Sequence, residues 1–435
     1  MMKQNKLRTQ RKQNTITILG IQVVLILFAF TLYYIDSQLQ LGVSSYIITS
    51  ALSVLLIIYI NQFIIWAIRN KLIKGIKYSY LHYITMLRIR QAFLDANYFN
   101  KRIYFNKEIA NLPKIKVEFD NSFSKGKLFI ENININKNIG EVNISFALNR
   151  FIVDRSYLSN DENYYIFEIY DSNINHQLHF NYLEDFVQKT NEFDDYTLFV
   201  DKSTSMTLYG ALFVGQTGSG KTYALYSLIL QMLNKNISYH IYFADPKNSS
   251  LAVLGEKISA ENTADDIENI IELLETFNKE MNYRKTEIKE MLNTKLEATY
   301  ADFNYEPHIF IFDEFASFQT TIQAMEKKKR DKVMKLLSQV VLQGRQLGFF
   351  LWIVMQKSDA SLLPTSLREN LPVKFVLGNA ENQTYITTFG VGADIPIKDF
   401  NLGQGVFTCP DIANTPKICH FSYLDFDILK AVTSL

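Results

Sequence analysis

Cysteine is scarce: 435 residues contain two, Cys409 and Cys419, without Cys-x-x-Cys spacing. That excludes a disulfide framework and a thiolate zinc site as organising devices, and it fits a reducing cytosol. Net charge is also lacking, since 45 Lys and Arg oppose 44 Asp and Glu. The overall balance therefore says nothing about a polyanionic partner, and any such surface must be local. Charged residues are missing altogether from Ile16–Ile35 and from Tyr46–Ile68. Each run is long enough to cross a ~30 Å hydrocarbon layer as a helix. A signal peptide would need a small-residue cleavage site, which is absent, and a second span follows directly. A hairpin buried in a soluble core is disfavoured by the length of the uncharged runs. No internal repeat is visible.

The charges that are present orient the spans. Lys3, Lys6, Arg8, Arg11 and Lys12 precede the first, and Arg69, Lys71, Lys74 and Lys77 follow the second. The connecting loop, Asp36 to Ser45, has neither Lys nor Arg. The positive-inside rule predicts a multi-pass anchor over 1–77 in the cell membrane, both termini cytoplasmic, with Trp66 as an interface anchor. Residues 78–97 have no Pro or Gly and read as a helix leaving the membrane. Alternating apolar residues at Ile115–Phe119, Lys127–Glu131, Glu141–Ala147, Tyr164–Tyr170 and His176–Tyr182, with turn-prone residues between, predict strands. A helix plus a small β-rich domain is thus expected over 78–200. Asn132–Asn138 is Asn-rich but short, and the region holds no catalytic constellation. His176 and His179 fall on opposite faces of their expected strand, which disfavours metal ligation.

The strongest signal starts at Leu208. The apolar run LYGALFV leads into Gly215-Gln216-Thr217-Gly218-Ser219-Gly220-Lys221-Thr222, which fits GxxxxGK[ST], and helical spacing follows over Tyr223–Leu233. Glycines let backbone N–H groups curl toward phosphates, and the helix N-terminus adds partial positive charge. Lys221 can reach the β- and γ-phosphates of ATP, and the Thr222 hydroxyl can ligate Mg²⁺. A second stretch, Pro307–Ala316, reads as an apolar strand ending in the two carboxylates Asp313 and Glu314. Asp313 is the expected holder of the Mg²⁺ shell, and Glu314 the group that polarises the attacking water.

Further apolar strands are expected at Tyr239–Ala244, ending in Asp245-Pro246-Lys247; at Phe349–Met355, ending in Gln356; and at Val373–Leu377. Gln356 is placed to contact the γ-phosphate and sense its loss. Strands alternating with helices predict an α/β domain over 201–435 with a mostly parallel sheet, where ligands gather at the carboxyl ends of the strands. Val333, Leu336, Leu337, Val340 and Val341 make a core stripe on one helix, with Gly344 as its expected end. The charged run Glu326–Lys332 reads as a solvated helix start in preference to a DNA-gripping pore loop.

Together these residues resemble the FtsK/SpoIIIE family of DNA-translocating ATPases over about 200–410. The phosphate loop, DPK at 245–247, KEMNYR at 279–284, IFIFDEFA at 309–316, GRQLG at 344–348, the strand ending at Gln356, LRENLPVK at 367–374 and GQGVF at 403–407 occur in the family's order. The resemblance implies a RecA-like P-loop NTPase domain in a homo-hexameric ring, with ATP between subunits. It also implies an arginine acting in trans on the γ-phosphate, for which Arg345 and Arg368 are both candidates. Lys374 stands where the family often has arginine, and Lys357-Ser358 replaces the familiar Arg-Pro pair.

A two-span FtsK-like chain looks most like coupling ATPases of Gram-positive conjugative elements, with DNA, the cytoplasmic membrane, a relaxase and membrane channel proteins as partners. A chromosome-segregation or cell-division translocase is the alternative, followed by a protein-secretion ATPase and a non-hydrolysing nucleotide-binding scaffold.

Overall fold

Two apolar helices open the chain, Gln10–Leu39 and Ser44–Arg69. The computed structural model describes residues 8–40, 42–104, 107–133, 139, 142, 144–291, 295–396 and 398–435. It divides into two compact units, 1–174 and 175–435. Within the opening helices, Asn14–Leu39 and Ser45–Arg69 are long and apolar enough to cross a membrane. Leu27, Phe28, Phe30, Leu56 and Ile57 stay exposed, whereas helices of a soluble core would bury such residues. At the turn, the Asp36 carboxylate accepts the Val43 N–H at 3.1 Å. Lys3 and Lys6 lie outside the described residues.

The rest of the first unit is a helix on a sheet. Helix Ile76–Asp95 buries Ile89 and Phe93 in a core with Val117, Leu128 and Ile130. The four-stranded antiparallel sheet runs Ile115–Phe119, Lys125–Glu131, Tyr164–Asp171, Phe151–Leu158. Among the described residues, a helix replaces the strand expected at Glu141–Ala147. Ile144–Leu148 is a short helix whose Ile144, Ala147 and Leu148 enter the core. Their i, i+3, i+4 spacing is the helical one, which outweighed the local alternation. Residues 141 and 143, and most of the Asn-rich stretch, lie outside the described residues.

The second unit begins at 175, earlier than the boundary expected at 200. The reason is packing: Phe186 and Phe199 share a core with Leu230 and Leu424. The buried Gln231 amide also bonds both backbone groups of Phe199, at 2.8 and 3.0 Å. The strand expected over His176–Tyr182 shortens to His179–Phe180 and pairs with Tyr423–Leu424.

An eight-stranded sheet organises this unit, in the order Thr263–Ala264, His240–Ala244, His308–Phe312, Phe349–Met355, Ala211–Val214, Val373–Leu377, Gln404–Cys409, Ala413–His420. The first six are parallel and the last two antiparallel. Every residue of His308–Phe312 and Phe349–Met355 is buried, as expected for strands covered on both faces. Phe213 stacks on Phe375 at 4.9 Å, and Phe375 on Phe407 at 5.4 Å, which carries the aromatic core across three neighbouring strands.

Helix Lys327–Leu347 ends at Gly348, whose φ of +78° suits a left-handed cap, and not at Gly344 as expected. Gly344 is interior to the helix, and a Cβ there would sit 2.0 Å from the Phe349 carbonyl oxygen. Its role is close approach of helix to strand. The basic run starts this helix, with Lys329 paired to Glu268 at 2.6 Å and Lys332 paired to Glu275.

Candidate nucleotide site

The site follows from strand order. Phe349–Met355 lies between the phosphate-loop strand, Ala211–Val214, and the acid-tipped strand, His308–Phe312. Two inter-strand steps are ~10 Å, so the loop and the acids face each other across the tip that carries Gln356. Val214 is opposite Met355, and Phe312 is opposite Ile353. Both segments therefore leave the same carboxyl edge of one sheet, two residues apart along the strand between them.

The loop itself is built on positive-φ glycines, Gly218 at +82° and Gly220 at +96°. Gln216, Thr217 and Gly218 are exposed, while Ser219 is buried and its Oγ has no hydrogen-bond partner among the described residues. Helix Lys221–Leu233 begins at the lysine. Lys221 Nζ donates to the Gly215 carbonyl and, at 3.1 Å, to that of Gln216. Burial lowers its pKa, the Asp313 and Glu314 charges oppose that shift, and Lys247 adds to it. Thr222 is exposed beside it.

Asp313 and Glu314 occupy different environments. Burial, then the neighbouring Asp245 charge, push the Asp313 carboxyl up to about 6; Glu314 adds to this and Lys221 opposes it. A raised carboxyl among other acids favours a bound cation. Glu314 has φ +46° and ψ +49°, a left-handed conformation that costs a non-glycine residue on the order of 1–3 kcal/mol. Phe312, Phe315 and Phe318 pack together on both sides of it, with Phe312 and Phe318 centroids 4.6 Å apart, and hold this turn. Glu314 Oε1 is 3.1 Å from Lys247 Nζ, and Oε2 accepts Gln356 Nε2 at 3.2 Å.

The candidate arginines are elsewhere. Arg345 stacks over Tyr209 at 4.9 Å and donates to its hydroxyl at 3.3 Å. Arg368 donates to Thr365 Oγ1 at 3.3 Å, and its Nη1 is buried without a hydrogen-bond partner among the described residues. Tyr209 and Arg368 precede the strands Ala211–Val214 and Val373–Leu377, so both arginines lie toward the end of the sheet opposite the phosphate loop. Neither joins its own chain's site.

Three functional residues were missed from sequence. Asp245 shapes the turn after its strand, Lys247 engages Glu314, and Gly403 braces the phosphate loop. DPK and GQG were visible as motifs, but their partners are distant in sequence. His176 stacks on His420 at 5.6 Å, and His179 lies beside Tyr423 at 5.3 Å, both away from the acids just described.

A glycine-rich loop on a central parallel strand, with two acids beyond the next strand, defines a P-loop ATPase-type fold. Residues 196–340 match the model of the FtsK/SpoIIIE family. The FtsK domain-containing protein YdcQ of Bacillus subtilis is 30% identical over 179 residues, 41% of this chain and 36% of that protein. The chain thus spans about a third of that curated relative's length. Among solved structures, the monomer form of the pCW3 conjugation coupling protein TcpA with ATPγS is similar at TM-score 0.49 and 16% identity, covering 80% of this chain and 99% of that one. EssC ATPases 2 and 3 from Geobacillus thermodenitrificans align at TM-score 0.40 and 15% identity, covering 66% of this chain and 48% of theirs.

Proposed function

We propose that this chain is a membrane-anchored, ATP-driven DNA translocase that serves as the coupling ATPase of a conjugative transfer apparatus. The observation that carries this reading is the meeting of Lys221, Asp313, Glu314 and Gln356 at one end of one sheet, within an FtsK/SpoIIIE domain. The two apolar helices support the membrane anchor, and the flanking charges support cytoplasmic termini.

The residues fit a magnesium nucleotide. The unpartnered Ser219 Oγ, the open face of Gly218 and the raised Asp313 carboxyl all favour an anion with its cation. The 215–222 backbone and Lys221 would hold phosphates, and Thr222 and Asp313 would hold Mg²⁺. Magnesium ATP supplies the γ-phosphoryl group that water attacks. Glu314 orients that water and takes its proton, and Gln356 fixes the carboxylate by its 3.2 Å hydrogen bond. Arg345 or Arg368 would reach the site of the next copy in a homo-hexamer. A relaxase and channel proteins are the partners this role requires.

ATP turnover by the full chain in nanodiscs, with and without DNA, tests the reading. DNA should raise the rate several-fold. A rate indifferent to DNA overturns the translocase assignment and leaves the ATPase standing.

A further inference from the structure

We propose that Lys247 is a second phosphate-binding cation of this site, held on Glu314 until a terminal phosphate draws it away, so that ATP rather than ADP frees the base. The inference rests on the nucleotide-site reading above and assigns that site its nucleotide-state sensor.

The backbone around Lys247 is fixed. It follows strand His240–Ala244, the neighbour of the acid-tipped strand. The fully buried Asp245 accepts the N–H groups of Lys247 at 3.2 Å, Ser249 at 2.8 Å and Ala252 at 3.2 Å, and the Ser249 hydroxyl at 2.6 Å. One carboxylate thus locks the turn and starts helix Ser250–Ser259. From this anchor the Lys247 side chain extends, 49% exposed, and can change partner without moving the main chain.

The present partner is Glu314. Lys247 takes one carboxylate oxygen and Gln356 the other. With Lys247 on one oxygen and Gln356 on the other, a water approaching Glu314 meets both oxygens already engaged. Gln356 can remain as a positioning group, but Lys247 must leave its oxygen for a water to take that place. The terminal phosphate of ATP is the suitable competitor, because it carries more negative charge than one carboxylate. Lys247 also lies near enough to Lys221 for the two like charges to oppose each other. A phosphate shared by both cations relieves that repulsion. ADP lacks this group and leaves Lys247 on Glu314.

Equilibrium binding of ADP and of a non-hydrolysable ATP analogue to the full chain, with Mg²⁺, tests this. Lys247→Met should weaken analogue binding about ten-fold and ADP binding by less than about two-fold, the loss of one charge-assisted contact. Lys247→Arg should restore part of the difference. Glu314→Gln should tighten the analogue by releasing Lys247, and the tightening should vanish in the double variant. Equal losses for both nucleotides, no loss for either, or additive effects in the double variant would overturn the proposal. Wild-type protein that binds neither nucleotide would instead remove the site itself, and the sensor with it.

Discussion

Gly403 donates its backbone N–H to the carbonyl of Ser219 at 3.0 Å, tying the phosphate loop to the far end of the motor. The approach is close: a Cβ on Gly220 would lie 2.6 Å from the Gly403 nitrogen, and one on Gly405 would lie 2.1 Å from the Val376 carbonyl oxygen. Gln177 Nε2 donates to the carbonyls of Leu402 at 3.1 Å and Phe421 at 2.8 Å, holding the same segment from behind.

Substituting Gly403 should therefore weaken nucleotide binding without touching a nucleotide-facing side chain. Gly403 has φ +75°, and a non-glycine residue there costs ~1–3 kcal/mol. Calorimetric titration of Gly403→Ala should show affinity falling by at least about ten-fold. Unchanged affinity would mean the segment is not a brace.

Lys221→Ala and Glu314→Gln should fail differently. The first removes the cation at the phosphates and should abolish both binding and turnover. The second keeps the side chain's shape and removes only its negative charge, so nucleotide should bind while turnover drops by two to four orders of magnitude, roughly the worth of a general base. Normal hydrolysis by Glu314→Gln protein would reassign the base.

Asp313 gives the site a pH signature. Its carboxyl titrates near 6 in the fold, above the ordinary 3.8, so the folded chain keeps a proton that the unfolded chain has released. Its contribution to stability is complete below the unfolded value and is lost as pH rises through about 6, by ~3 kcal/mol. Asp313→Asn should thus melt higher than wild type at pH 7.5 by ~6–12 °C and lose magnesium-dependent binding. Wild-type magnesium dependence should fade as pH drops below about 6, because a protonated carboxyl is a poor ligand. Melting curves and titrations at the two pH extremes check both signs.

Much of the motor was legible in the sequence. Strands buried on both faces read as apolar runs, so 349–355 and 373–377 were placed correctly, and the stretch 307–316 contains the strand at 308–312. The phosphate-loop motif carries its own geometry. Pairings between distant segments were not legible: nothing local in Gly403 or Lys247 names Ser219 or Glu314. In the β-rich part, Ile144, Ala147 and Leu148 fit a short helix better than the strand their neighbours imitate.

Arg284, within the family-like stretch 279–284, has a structural role. It donates to the carbonyls of Glu306 at 2.7 Å and Leu347 at 3.2 Å, and its guanidinium lies 4.8 Å over Phe349. Arg284→Ala would leave those carbonyls short of a donor and should cost ~2–4 kcal/mol. Thermal melting should shift down while nucleotide affinity in the folded fraction stays within about two-fold of wild type.

Membrane topology is testable because Cys409 and Cys419 are both buried. A Gln38→Cys substitution, at the exposed C-terminal end of the first apolar helix, offers one accessible thiol. In intact cells it should react with a membrane-impermeant maleimide. Labelling only after lysis would reverse the predicted orientation.

The strand from Phe349 to Met355 acts as a caliper. Its thickness sets the gap between the glycine-rich loop and the Asp313–Glu314 pair, and Trp352 fixes its edge by an indole N–H bond of 2.8 Å to the Tyr209 carbonyl. Trimming that indole should therefore be felt at the jaws, as turnover that falls while both jaws remain chemically intact.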